Sequence, residues 1–238
     1  LLLAIDTATT TSSISLYDGQ LISEYTWRTG RNHSSELLES VDKMLGLTRT
    51  SLNNLDGVVV TIGPGSFNGV RVGVTTAKMI CLSLNLLIIG VTALEVVTYP
   101  HFHCQENAIR PMVEAGRGRF CTSLYQRLSE GWQETEEAHI VSPELLVDST
   151  LNITLVCGDI DRELGARLMA QTRFLRVASP ASGARRAAFL AEIGWERLLT
   201  GKGQRPEDLQ AVYLSGPVAR SGESQSPQMA RIRRAISG

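Results

Sequence analysis

Hydrophobic and polar positions change period several times along the first hundred residues, and each change marks an element. Residues 1–6 are a short apolar run ending in Asp6, and such a run next to a hydroxyl-rich turn predicts a buried strand. Residues 12–17 and 21–25 flank Asp18-Gly19-Gln20, a hairpin signal because glycine accepts positive φ. The period then lengthens over residues 34–45. Leu37, Leu38, Val41, Met44 and Leu45 share one helical stripe, Glu36 and Glu39 stand near its positive end, and Gly46 is the expected stop. A β-branched strand at 58–62, a helix at 70–84 and a strand at 87–91 follow, and Thr92-x-x-Glu95 is a capping box opening a last helix. The order is βββαβαβα.

The pattern breaks at Tyr99-Pro100-His101-Phe102-His103, where a helix must end before the proline. A boundary is expected there, giving a first unit of residues 1–102. Beyond it, 110–114, 120–127 and 132–140 predict a second meander, with Ser129-Glu130-Gly131 as a turn. A helix from Ser142-Pro143-Glu144, a strand ending at 155–158, a helix at 161–170, a strand at 174–177 and a helix at 184–199 complete the series. The second unit, 103–220, thus repeats the element order of the first without a visible repeat of sequence. Residues 221–238 are rich in Ser, Gly and Gln before Arg231, Arg233 and Arg234 and read as a loosely held tail.

Composition narrows the classes. With 43% apolar and 20% charged residues, the 238-residue chain is able to build substantial cores. The 23 basic and 24 acidic residues leave a formal charge of -1, without the basic excess that grips nucleic acid through phosphates. Any role with RNA is therefore expected to be indirect. Cys81, Cys104, Cys121 and Cys157 form no C-x-x-C pair, which points to reduced thiols and away from a zinc knuckle or a disulfide framework. No stretch reaches the roughly 18 uninterrupted apolar residues of a membrane span, and the opening lacks the flank of a signal peptide. A cytoplasmic protein is expected.

Four features carry candidate chemistry. The segment Gly63-Pro64-Gly65-Ser66-Phe67-Asn68-Gly69-Val70-Arg71-Val72-Gly73 lies between a strand and a helix. It satisfies neither the dinucleotide nor the P-loop fingerprint, so it reads either as a tight structural turn built on Gly63, Gly65 and Gly69 or as an anion-holding loop. On the following helix, Val70, Gly73, Val74, Ala77, Ile80, Cys81 and Leu84 fall in one buried arc. Val72, Thr76, Met79 and Ser83 form a second stripe of small or weakly polar residues, either an ordinary half-exposed face or one that lets a partner helix approach closely. The opening Ile5-Asp6-Thr7-Ala8-Thr9-Thr10-Thr11 sets a carboxylate and hydroxyls at a strand turn, but the second half offers only Cys157-Gly158-Asp159 as a fragment of a matching phosphate turn. His33 and His139 stand alone, and His101 and His103 are two apart, the wrong separation for a shared metal on a helix. No Ser/His/Asp set or carboxylate pair follows from spacing, so no catalytic, cofactor or metal residue is assigned.

Ile5-Asp6-Thr7-Ala8-Thr9, Asn32-His33-Ser34, the long glycine segment and Gly90-Val91-Thr92-Ala93-Leu94-Glu95 resemble the TsaB (YeaZ) family in order and spacing. The resemblance covers residues 1 to about 97 and thins afterwards. Asn68 stands where threonine is usual, Glu114-Ala115-Gly116-Arg117 resembles the family's Asp-Ala-Arg-Arg turn with two changes, and Tyr213-Leu214-Ser215 lacks the usual arginine.

The resemblance implies an α/β, actin-like (ASKHA) fold of two ribonuclease H-like βββαβαβα lobes. It also implies a non-catalytic partner of a TsaD-like subunit, which transfers a threonylcarbamoyl group to N6 of the adenosine next to the anticodon of tRNA. A TsaE-like ATPase joins them, and the chain pairs with its own copy when alone. The catalytic paralog carries a metal-binding H-x-x-x-H after the strand that here ends Ile89-Gly90-Val91; residues 92–99 contain no histidine. The expected partner surface combines His33, Glu36, Ser40 and Lys43 of the first helix with Val72, Thr76, Met79 and Ser83 of the second. The rival expectation is an enzyme in its own right, an ATP-dependent transferase of the same fold or a glycoprotease-like peptidase.

Overall fold

A computed structural model describes residues 1–29, 33–150 and 152–213. The expected tail 221–238 lies outside the described residues, as do Asn32, Leu214 and Ser215. Strand β1 (Leu2–Asp6) is buried throughout because it is central. Antiparallel β2 (Thr11–Tyr17) lies on one side and parallel β4 (Gly57–Thr61) on the other. With β3 (Leu21–Arg28) and β5 (Leu87–Val91) at the edges, the first sheet has the order β3-β2-β1-β4-β5. Strands covered on both faces read as unbroken apolar runs, which is why β1 and β4 show no alternation.

Helices α1 (His33–Thr48) and α2 (Phe67–Leu84) cover one face of this sheet. Leu37, Val41 and Met44 of α1 and Val70, Val74 and Ala77 of α2 pack on Leu3, Ile5, Val58 and Val60. Two local expectations are corrected. Leu38 is 54% exposed, because it lies 100° round the helix from Leu37 and the buried stripe runs through 37, 41 and 44. Helix α1 passes through Gly46 and ends at Thr48, where Arg49 takes the left-handed conformation (φ 52) that stops it.

The second sheet comprises β6 (Ala108–Glu114), β7 (Phe120–Leu128), β8 (Gly131–Val141), β9 (Thr154–Gly158) and β10 (Leu175–Val177), in the order β10-β9-β6-β7-β8. This is the arrangement of the first sheet repeated. Helices α4 (Pro143–Ser149) and α5 (Arg162–Gln171) cover one face, with Leu146 and Leu168 on Met112, Phe120 and Val156.

The remaining two helices are exchanged. Helix α3 (Ala93–Thr98) closes the first series in sequence, yet Ala93, Leu94 and Val97 pack on Ile109, Val113, Cys121 and Tyr125 of the second sheet. Helix α6 (Ala187–Leu199) closes the second series and returns to the first sheet, where Ala187, Leu190, Ala191 and Ile193 meet Leu2, Ala4, Val59 and Ile89. The assignment of residues 184–199 to the second unit's own layers is corrected accordingly: an amphipathic pattern says that a face is buried, not which sheet buries it. Arg197 of α6 donates to Glu95 of α3 (2.7 Å) and to the Gly90 carbonyl (2.9 Å). Glu95 is thereby drawn away from its capping box, of which only the Thr92 half, accepting the Glu95 N–H at 3.2 Å, forms. We propose that the chain divides near residue 102, with α3 and α6 crossing that boundary.

Burial also sets the chemistry of the thiols. All four cysteines are free. Loss of solvation pushes Cys81 and Cys121 up to about 12 and Cys157 higher still. An unfolded chain ionises these thiols from about pH 9 while the folded one holds their protons, so their contribution is fully present below pH 9 and lost as pH rises towards 12. The expected result is a urea midpoint that falls between pH 8 and pH 10, reflecting a loss of unfolding free energy of about 1 kcal/mol per buried thiol at pH 10. Equal midpoints at the two pH values would show that the thiols ionise as freely in the fold as outside it.

Candidate functional site

A cleft of about 720 Å³ opens between the two sheets. Its first wall is the β1–β2 turn, Ala8 to Thr11, together with Ser66 at the start of α2; its second wall carries Glu114, Gly158, Asp159 and Asp161. The segment leading into α6, with Gly183, Ala184 and Arg185, lines it as well. The β1–β2 turn is bolted to α2. The Thr7 hydroxyl donates to the Gly69 carbonyl (2.7 Å), and the Ser66 N–H donates to the Ala8 carbonyl (2.7 Å). Ser66 caps the helix by accepting the Gly69 N–H at 3.3 Å. Such closeness leaves no room for side chains: a Cβ at Gly65 would stand 2.1 Å from the Ala8 oxygen, and one at Gly69 2.0 Å from the Thr7 oxygen. Gly63 adopts φ +101, open to glycine and strained for other residues.

Asp6 and Arg185 meet beneath this turn. One carboxylate oxygen of Asp6 accepts the Ala8 N–H at 3.0 Å, and the other lies 3.4 Å from Arg185 Nε, with both side chains at most 3% exposed. Arg185 is carried there by a pinned backbone: the Ala187 N–H donates to Ser13 Oγ (2.8 Å) and the Ala188 N–H to Glu24 (2.9 Å), which also accepts from Arg186 (2.6 Å). Sequence reasoning found Asp6 and the hydroxyls but missed Arg185. The available signal was a pair of arginines immediately ahead of an apolar helix. Asp159 accepts the Glu114 N–H at 2.9 Å, tying together the ends of β6 and β9.

The outer face of α1 and α2 is the second candidate surface. Met79 is 65% exposed and Leu82 54%, like Leu38. Val72 and Thr76 are half-buried beside them, and Ser83 is exposed. The hydroxyls of Ser40 and Ser83 are turned onto their own helices, donating to the Glu36 and Ile80 carbonyls at 2.7 and 2.9 Å, so they present little unmet polarity outward. His33 opens α1, Glu36 lies one turn on, and Lys43 faces Glu39 at 4.0 Å. Phe67 was read only as part of the glycine segment. It is 56% exposed, packs at a tilt against the Tyr213 ring with centroids 5.0 Å apart, and lies under the Arg71 guanidinium at 5.3 Å.

The histidines are dispersed. Burial lowers the pKa of His101, and His139 lies 3.4 Å from Glu136. Among the described residues no group of three or more His, Cys, Asp or Glu is placed to hold a metal ion, and no helix is long and apolar enough to cross a membrane.

A family model described as TsaD, tRNA N6-adenosine threonylcarbamoyltransferase, matches residues 25–157. The tRNA threonylcarbamoyladenosine biosynthesis protein TsaB of Escherichia coli (strain K12) is 30% identical over 231 residues, which cover 92% of this chain and 96% of that protein. The chain belongs to the TsaB family. TsaB of Bacillus subtilis (strain 168) is 37% identical over 126 residues, about half of each protein at 52% and 55%. A solved structure of an uncharacterized Pseudomonas aeruginosa protein with similarity to peptidase YEAZ superposes with a TM-score of 0.73 at 20% identity, covering 90% of this chain and 99% of that one. This likeness speaks for the fold alone: the TsaB architecture here is the expected α/β, actin-like one, with two mixed sheets and flanking helices.

Proposed function

We propose that this chain serves tRNA threonylcarbamoyladenosine biosynthesis as a non-catalytic subunit that holds a TsaD-like threonylcarbamoyltransferase against the outer face of α1 and α2. The family supports the pathway, since the curated relatives carry it in their names. The observation that carries the docking role is the unpaired helical face itself, where Leu38, Met79 and Leu82 stand exposed beside Val72, Thr76 and Ser83. Large apolar groups flanked by small ones suit close helix packing, and their desolvation supplies affinity. The cleft supports a silent role as well, because the Asp6 carboxylate faces the Arg185 guanidinium at 3.4 Å.

On this reading a TsaE-like ATPase joins the pair, tRNA is contacted through the catalytic partner, and the same face makes an isologous homodimer when the partner is absent. Four unpaired cysteines suit the reducing cytoplasm. The test is co-elution with TsaD on a sizing column. Thr76→Arg and Met79→Glu are each expected to weaken association about 100-fold or more, since each strands a charge in the interface, while leaving the melting temperature unchanged when parent and variants are compared at a concentration where the isolated chain is monomeric. Full co-elution of both folded variants removes the proposed surface.

A further inference from the structure

The chain leaves its described part at a pinned point. After α6 it crosses the edge of the first sheet, where the Ile88 and Gln204 backbones exchange two hydrogen bonds of 3.0 Å. Leu209 is buried in the first core, and the Val212 N–H donates to the Ile62 carbonyl at 2.7 Å. Tyr213 then packs against Phe67, the first residue of α2. Everything beyond Tyr213 therefore departs from the amino end of the helix that carries exposed Met79 and Leu82.

The sequence that departs is matched to that helix in reach, apolarity and charge. Residues 214–228 are rich in Ser, Gly, Pro and Gln, and a tether of that length and composition spans on average about 20 Å. Along α2, Phe67 and Met79 are separated by about 18 Å at the helical rise. A tether whose reach equals its span gives the highest effective concentration, about millimolar. After it comes Met229-Ala230-Arg231-Ile232-Arg233-Arg234-Ala235-Ile236. At helical spacing Met229, Ile232 and Ile236 share one stripe, with Arg231 and Arg234 on the other side. The stripe suits the exposed Leu38, Met79 and Leu82. The arginines suit α1, which carries Glu36, Glu39 and Asp42 against Lys43, and not α2, which carries Arg71 and Lys78.

We propose that residues 229–236 cover the outer face of α1 and α2 of their own chain, laying Met229, Ile232 and Ile236 on Leu38, Met79 and Leu82. At micromolar protein the tethered segment has about a thousandfold concentration advantage over a second copy. It is thus a built-in competitor that a catalytic partner must displace. That competition rests on the docking role proposed above; the contact itself does not.

The test is disulfide trapping in the full chain with diamide. Ser83→Cys and Ala235→Cys place thiols beside the two stripes without removing an apolar anchor. They are expected to link within single chains at least tenfold faster than Met169→Cys with Ala235→Cys, because Met169 is 48% exposed but lies on α5 of the second sheet. Peptide mass mapping separates this link from any made to the half-buried Cys104. Equal rates overturn the contact. A link found only between chains, growing with protein concentration, gives the face to a second copy and overturns it too. Ile232→Glu combined with Ile236→Glu should tighten binding of a TsaD-like partner several-fold, and unchanged binding overturns the competition. If neither parent nor variant binds that partner, the docking role fails, and the trapping rates still decide the contact.

Discussion

Gly69→Ala is expected to destabilise the chain by about 3 kcal/mol and to lower its melting temperature by roughly 6–12 °C. The added methyl would stand 2.0 Å from the Thr7 carbonyl oxygen, so either the β1–β2 turn or the first turn of α2 must retreat. Either movement breaks the bond from the Thr7 hydroxyl to the Gly69 carbonyl and loosens the Ser66 to Ala8 contact. Gly46→Ala is the internal comparison. It also lies in a helix, but a methyl added there would meet nothing within 4 Å, so it should raise stability by up to about 1 kcal/mol. Urea denaturation of the pair decides the matter, and a Gly69→Ala chain as stable as its parent contradicts the packing described.

The second large effect concerns the buried ion pair. Asp6→Asn leaves the Arg185 guanidinium, with its side chain 3% exposed, without a counter-charge, and removing one partner of such a pair costs about 3–5 kcal/mol. Against a typical total of about 5–15 kcal/mol, that is enough to unfold much of the population on mild warming. Replacing both partners, with Asp6→Leu and Arg185→Met, removes the stranded charge and should recover most of the loss. A double-mutant cycle in urea reads the coupling directly. If Asp6→Asn melts like the parent, the two groups are not electrostatically coupled.

Element order was legible because it is written in local periods. The meanders at 12–25 and 120–140, the buried runs of β1 and β4, and the arc Val70, Gly73, Val74, Ala77, Ile80 and Cys81 all follow from spacing within a few residues. Local rules failed where a choice depends on distant partners. Leu38 fits a generous helical stripe but sits past its edge, and Glu95 has the right spacing for a capping box but meets Arg197 instead. The return of α6 to the first sheet and the meeting of Asp6 with Arg185 are pairings between segments more than 90 residues apart, and α3 leaves its own sheet for the one that follows it. No windowed pattern encodes them. The family resemblance reached the fold by another route, through the glycine segment, whose residues are constrained by the approach of the β1–β2 turn to α2 and not by local helix or strand periodicity.

The exchanged helices also impose a schedule on biosynthesis. A nascent chain that has just released β5 from the ribosome still lacks the layer over Leu2, Ala4, Val59 and Ile89, because the covering helix is residues 187–199. The amino-terminal half must therefore wait, with an apolar sheet face open to water, until the whole second sheet has been translated behind it. Domains normally fold in the order they emerge; here the sheet that emerges first is sealed last, and until residues 187–199 follow, it offers the sort of apolar surface that chaperones grasp.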